Sequence, residues 1–151
     1  MLLPFKRRDG KPVFIESKII TRLRAATPSD NGAASIVYHT KGSLDSSDKV
    51  ADVLKVLQQE LAMIELTAPN GSKVYIDAAK IIIIAQPLKG THAETAKAIV
   101  QVGDHEQQVT ETVAEVRKLV DAALSPAPAG APMVMRAAVA SKRGRKKTAV
   151  A

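Results

Sequence analysis

Residues 64–84 read IELTAPNGSKVYIDAAKIIII and residues 3–23 read LPFKRRDGKPVFIESKIITRL, and the two align at a constant separation of 61 positions. Asp9-Gly10 falls on Asn70-Gly71, Val13-Phe14-Ile15 on Val74-Tyr75-Ile76, and Leu23 on Ile84. Asp-Gly and Asn-Gly take up the positive φ angles of tight hairpin turns, so each copy opens with a hairpin. The expected strands are residues 2–6 and 12–16, then 63–67 and 73–77. Pro12 has no amide donor, which suits a strand start or an edge.

Outward from the hairpins the two copies keep the same order. A third strand is expected from Ile19 to Ala25, with Ile19, Thr21 and Leu23 on one face and Ile20, Arg22 and Arg24 on the other. Its counterpart runs from Lys80 to Ala85. Residues 27–32 (TPSDNG) and 86–95 read as loops, and residues 35–40 and 98–102 as fourth strands. Short return strands follow Lys41-Gly42 and Gly103-Asp104.

Helices close both copies. Ser46-Ser47-Asp48 offers N-cap chemistry to a helix whose stripe is Val50, Val53, Leu54, Leu57 and Leu61. Thr112 and Glu115 form a capping-box pattern before Val113, Val116, Leu119, Val120, Ala123 and Leu124. The helices align at 63 positions rather than 61, because the intervening loops differ in length.

The expected fold class is therefore α+β. Two tandem small units, residues 1–61 and 62–124, each form a four- to five-stranded, mostly antiparallel sheet or small barrel followed by one helix. So little chain separates them that they are expected to pack as a pseudo-dimer, the covalent analogue of a homodimer produced by duplication and fusion. Residues 125–151 begin as a Pro/Ala linker, SPAPAGAP, and continue as a disordered basic tail.

Charge is distributed unevenly. Residues 1–60 carry net +3, residues 61–124 net −2, and residues 125–151 net +6 with no acid at all. The chain has no cysteine, which excludes disulfides, thiolate catalysis and cysteine–zinc sites. No apolar run approaches the roughly 18 residues of a membrane span, and MLLPFKRRDG lacks the order of a signal peptide. A soluble protein is expected, cytoplasmic or held within a virion or other assembly.

The second unit resembles the FlbD-like family of small flagella-associated proteins. The resemblance rests on Ile64-Glu-Leu-Thr67, Asn70-Gly71, Val74-Tyr-Ile76, Ile81 to Ile84 and Glu111-Thr-Val-Ala-Glu-Val116. The first unit matches weakly, with Lys49 in place of the capping hydroxyl. The resemblance implies a small β/α fold without enzymatic activity.

No residue pattern points to catalysis. His39, His92 and His105 stand at no metal-ligand spacing and read as solvated surface histidines. Asp9, Asp45, Asp104 and Glu106 are accounted for by turn chemistry. Asn70-Gly71-Ser72-Lys73 precedes a strand, so no helix N-terminus is there to receive phosphate. No enzyme, cofactor or metal is expected.

The functional candidates are binding elements. Lys142, Arg143, Arg145, Lys146 and Lys147 suit nucleic acid or another polyanion by counterion release. Lys6, Arg7, Arg8 and Lys11 form a second cationic cluster on the first hairpin. Ile82 and Ile83, in a strand apolar on both faces, are expected to be buried at the seam between units or at an interface with another chain. The sequence thus predicts a binding or scaffold protein with a polyanion-binding tail, or a structural assembly protein that makes protein contacts and self-associates.

Overall fold

The computed structural model describes residues 1–30 and 32–125. Its chain is α+β, with every strand pairing antiparallel. The first half contains β1 (Leu2–Lys6), β2 (Pro12–Glu16), a 3₁₀ turn at Ser17–Ile19, β3 (Ile20–Ala25), β4 (Ser35–His39), β5 (Gly42–Ser46) and α1 (Val50–Leu57). The second contains β6 (Met63–Thr67), β7 (Lys73–Asp77), a 3₁₀ turn at Ala78–Lys80, β8 (Ile81–Ala85), β9 (Ala98–Val102), β10 (His105–Val109) and α2 (Val113–Leu124). Gly10 and Gly71, at φ 86° and 89°, supply the left-handed position that each leading hairpin turn needs.

Equivalent hydrogen bonds recur in the two halves. Ser17 N donates to Met1 O and Ala78 N to Ala62 O, both at 2.9 Å. Ser47 N donates to Lys6 O at 3.1 Å, and Thr110 N to Thr67 O at 2.8 Å. Ala34 N reaches Ser46 O as Lys97 N reaches Val109 O, both at 2.8 Å.

The sheets do not follow the unit boundary, however. A five-stranded sheet runs β5-β4-β3-β7-β6, joined across the halves by Arg22 opposite Ile76, Leu23 opposite Tyr75 and Arg24 opposite Val74. The remaining strands form a two-stranded β1-β2 sheet and a three-stranded β10-β9-β8 sheet. The expectation of one sheet per unit is corrected: the third strand of the first half adds its free edge to the hairpin of the second.

Two hydrophobic cores flank this arrangement. The first gathers Leu3, Phe5, Ile20, Leu23, Val53 and Leu57, and takes in Met63 and part of Tyr75 from the second half. The second gathers Ile64, Leu66, Val74, Ile76, Val100 and Val116. Strand alternation explains the sharing, since Met63 and Ile64 point to opposite faces, as do Tyr75 and Ile76.

A β-bulge breaks the alternation expected in the third strands. The pairing register slips between Ile20 and Arg22 in β3 and between Ile81 and Ile83 in β8. One extra residue turns the chain, so Ile20 and Leu23 both enter the first core while Arg22, on the other side, is only 6% exposed. In β8 the same irregularity sends Ile81 and Ile84 toward the second core and leaves Ile82 and Ile83 outside it.

The helix starts differ. Thr112 makes a complete capping box: its hydroxyl accepts from Glu115 N at 3.1 Å while the Glu115 carboxylate accepts from Thr112 N at 2.8 Å. The N-cap of α1 is Lys49, which makes no side-chain cap. The capping expected of Ser46 to Asp48 is not made, because the Asp48 carboxylate accepts from Lys6 N at 3.1 Å instead. Lys49→Thr should therefore stabilise the protein by about 0.5–2 kcal/mol in urea unfolding. Met63→Ala, although in the second half, should cost about 2–5 kcal/mol as a core truncation. A cost near zero would show that the first core does not depend on it.

Candidate interaction surfaces

The described residues expose seven large apolar side chains: Met1, Leu2, Phe14, Ile82, Ile83, Leu88 and Leu124. Ile82 is 63% exposed and Ile83 49%. They are not at the seam between the halves, which lies at β3 and β7. That part of the expectation is corrected: an apolar run is buried on both faces only when a layer covers each face, and Ile82 and Ile83 lie outside the second core. Among the described residues β8 pairs with β9 alone, and β2 with β1 alone. Each has an open hydrogen-bonding edge.

The seam itself centres on Arg22, a buried charge that the alternation pattern had placed on one face with half-buried Arg24. Its guanidinium lies 3.8 Å from the Tyr38 ring centroid, and Nη1 donates to Gln107 Oε1 of β10 at 2.9 Å. Cation–π attraction and one neutral acceptor replace its hydration. Burial pushes the Arg22 pKa down. Arg24 caps the cluster, donating to Tyr38 Oη at 2.8 Å and to the Asp30 carboxylate at 3.1 Å. Hydrogen bonds from Arg24 and then the Thr27 amide hold the Asp30 carboxyl down at about 2.

His105 reaches across from the second half and stacks on Tyr38, with centroids 6.3 Å apart. Lys80 ties the halves a second time: Nζ contacts the buried Asp77 carboxylate at 2.5 Å and donates to Ser17 O at 3.2 Å. Only the pairing of Arg22 with an aromatic and an amide, residues far apart in sequence, reveals this cluster, and no local pattern announces it.

The first hairpin is less cationic than its sequence. Arg7 holds Asp9 through Nε at 3.1 Å and Nη2 at 2.7 Å, and Arg8 lies 3.7 Å from Asp45. Hydrogen bonding to Asp9 raises the Arg7 pKa, and the same bond lowers that of Asp9. Lys6 and Lys11 form no ion pair with a carboxylate among the described residues. The structure therefore brings these four cations together with Asp9, Asp45 and Asp48, a nearly balanced surface. Lys142, Arg143, Arg145, Lys146 and Lys147 lie outside the described residues.

His92 is not a solvated surface residue, with only 9% of its side chain exposed. Its Nδ1 accepts from Leu88 N at 2.8 Å and Nε2 meets Glu106 Oε1 at 3.0 Å, so it organises the loop before β9. Among the described residues no three His, Asp or Glu side chains gather to hold a metal ion, and no helix is long and apolar enough to cross a membrane. No protein-family model, curated protein or solved structure matches the chain.

The seam carries a pH dependence. Burial lowers the His39 pKa, and burial followed by the Arg22 charge lowers that of His105. The unfolded chain takes up these protons near the ordinary histidine value of about 6.5, before the folded protein does. The contribution is thus present above that value and lost as pH falls toward the lowered folded values. Thermal unfolding should shift to lower temperature from pH 7.5 to 5.5, and the shift should shrink in His105→Gln.

Proposed function

We propose that this protein is a non-enzymatic scaffold that works by protein–protein contact, and that β8 is its contact strand. One observation carries the reading: an apolar run, Ile81 to Ile84, lies on an open sheet edge with Ile82 and Ile83 at 63% and 49% exposure. Edge strands in monomeric proteins are guarded by charge, proline or a covering element. Here the adjacent Lys80 is turned away to Asp77 and Ser17. An uncovered apolar edge is where another chain adds a strand.

The same reading takes the chain as a tandem duplication of a FlbD-like unit, with residues 1–61 and 62–124 as a pseudo-dimer. The recurring hydrogen bonds, the paired 3₁₀ turns and the bulges at equivalent positions support it. The duplicated unit supplies the frame, and the assembly role is the function.

Ile82→Lys and Ile83→Lys place a charge on the edge without opening a core. Each should leave unfolding stability within about 0.5 kcal/mol and should abolish the protein's association with itself or with a co-purifying partner, read by light scattering. Unchanged mass and contacts in both variants would sink the contact-strand reading.

A second reading concerns residues 125–151, whose six Lys/Arg and absence of acid favour polyanion binding. Nucleic acid should be bound with a salt slope of about −4 to −5 if the five cations of 142–147 engage. Deleting residues 137–151 should remove that binding; identical binding without them would refute the mechanism.

A further inference from the structure

Resting on β8 as a contact strand, we propose that its partner is β2 of a second copy of this chain. The strands pair antiparallel, with Ile83 opposite Ile15, Ile84 opposite Phe14 and Ala85 opposite Val13.

The β3–β7 seam is the template. β8 stands in the second half where β3 stands in the first, and β2 stands where β7 does. Moving the observed pairs Arg22–Ile76, Leu23–Tyr75 and Arg24–Val74 by the 61-residue separation yields the proposed register. Within one chain only one such join is made, and the other two edges belong to separate sheets. Pro12 does not obstruct the second join. It corresponds to Lys73, one residue beyond the three paired positions of β7.

The exposed side chains fall where this seam needs them. In the formed seam Met63 and Tyr75 pack against the core of the other half. Their counterparts, Leu2 and Phe14, are 64% and 61% exposed. On the receiving side Arg22 is buried and Leu61 packs partly on the first core, while their counterparts Ile83 and Leu124 are 49% and 50% exposed. Met1 borders the first set and Ile82 the second. Of the exposed large apolar residues among those described, Leu88 alone lies elsewhere.

The chemistry also matches across the gap. Arg22 meets Gln107 at 2.9 Å over the formed seam; the counterparts are Ile83 and Leu44, so a polar pair becomes an apolar pair with both members changed together. Leu23 beside Tyr75 becomes Ile84 beside Phe14, again aliphatic against aromatic. Each copy offers one edge of each kind, so two copies can pair reciprocally, or successive copies can join head to tail into a ring or filament.

The chain contains no cysteine, so an introduced one is unique. Full-length Phe14→Cys and Ile84→Cys chains of different tag mass are mixed and oxidised, with Lys118→Cys replacing Phe14→Cys as a collision control. The expected result is a mixed disulfide of the two chains, at least tenfold more abundant than in the control. Light scattering should find native protein above single-chain mass at high concentration, and both Phe14→Lys and Ile83→Lys at single-chain mass. No mixed disulfide, with a Phe14→Cys/Ile84→Cys double variant closing within one chain, would make the chain's own β2 the occupant and overturn the proposal. Loss of association in Ile83→Lys but not Phe14→Lys would overturn it too, leaving β8 a contact strand for some other surface. Native protein at single-chain mass with neither variant altering any contact would remove both.

Discussion

Three residue pairs between β3 and β7 hold the two halves in one architecture. Without them β3 would be the edge of a three-stranded sheet and the second hairpin would lie on its own core with one face bare. Once they form, β7 is covered on both faces, Met63 and Tyr75 enter the first core, and Arg22 is enclosed between Tyr38 and Gln107. A buried guanidinium without a carboxylate is costly. It is held because the ring, the amide and the backbone pairing are supplied by elements from both halves.

The two third strands show how neighbours decide the meaning of a side chain. β3 carries Arg22 and Arg24 and is central; β8 carries Ile82 and Ile83 and is an edge. This inverts the usual arrangement, in which the charged strand lies outside. The inversion is accounted for if β8 is the contact strand proposed above, because an edge in one chain would then be covered by a partner.

Much of the fold was legible from the sequence, because turn glycines, alternation and helical spacing act locally. The hairpins at Gly10 and Gly71, the capping box at Thr112 and Glu115, and the order of strands and helices all follow from near neighbours. What was not legible depended on distant ones. Partition of strands among sheets needs the β3–β7 contact, burial of Arg22 needs Gln107, and the enclosure of His92 needs Glu106 across a loop. The bulges at Thr21 and Ile82 add a single residue that no composition signal marks, and the first reversed the facing expected of Ile20. The first hairpin looked cationic because Arg7 and Arg8 are adjacent in sequence, whereas Asp45 joins them only in space. The exposure of Ile82 and Ile83 contradicted a rule that assumes both faces of the sheet are covered.

The link between α1 and β6 is only residues 58–62, and this sets different laws for the two kinds of edge. Short flexible connections give tethered partners an effective concentration in the millimolar range. The inner seam therefore forms at any dilution and folds with the chain. An edge left open has no tether, and its occupancy follows the amount of protein around it. Under the proposed pairing, a single sequence thus holds one joint that is permanent and another that would respond to abundance.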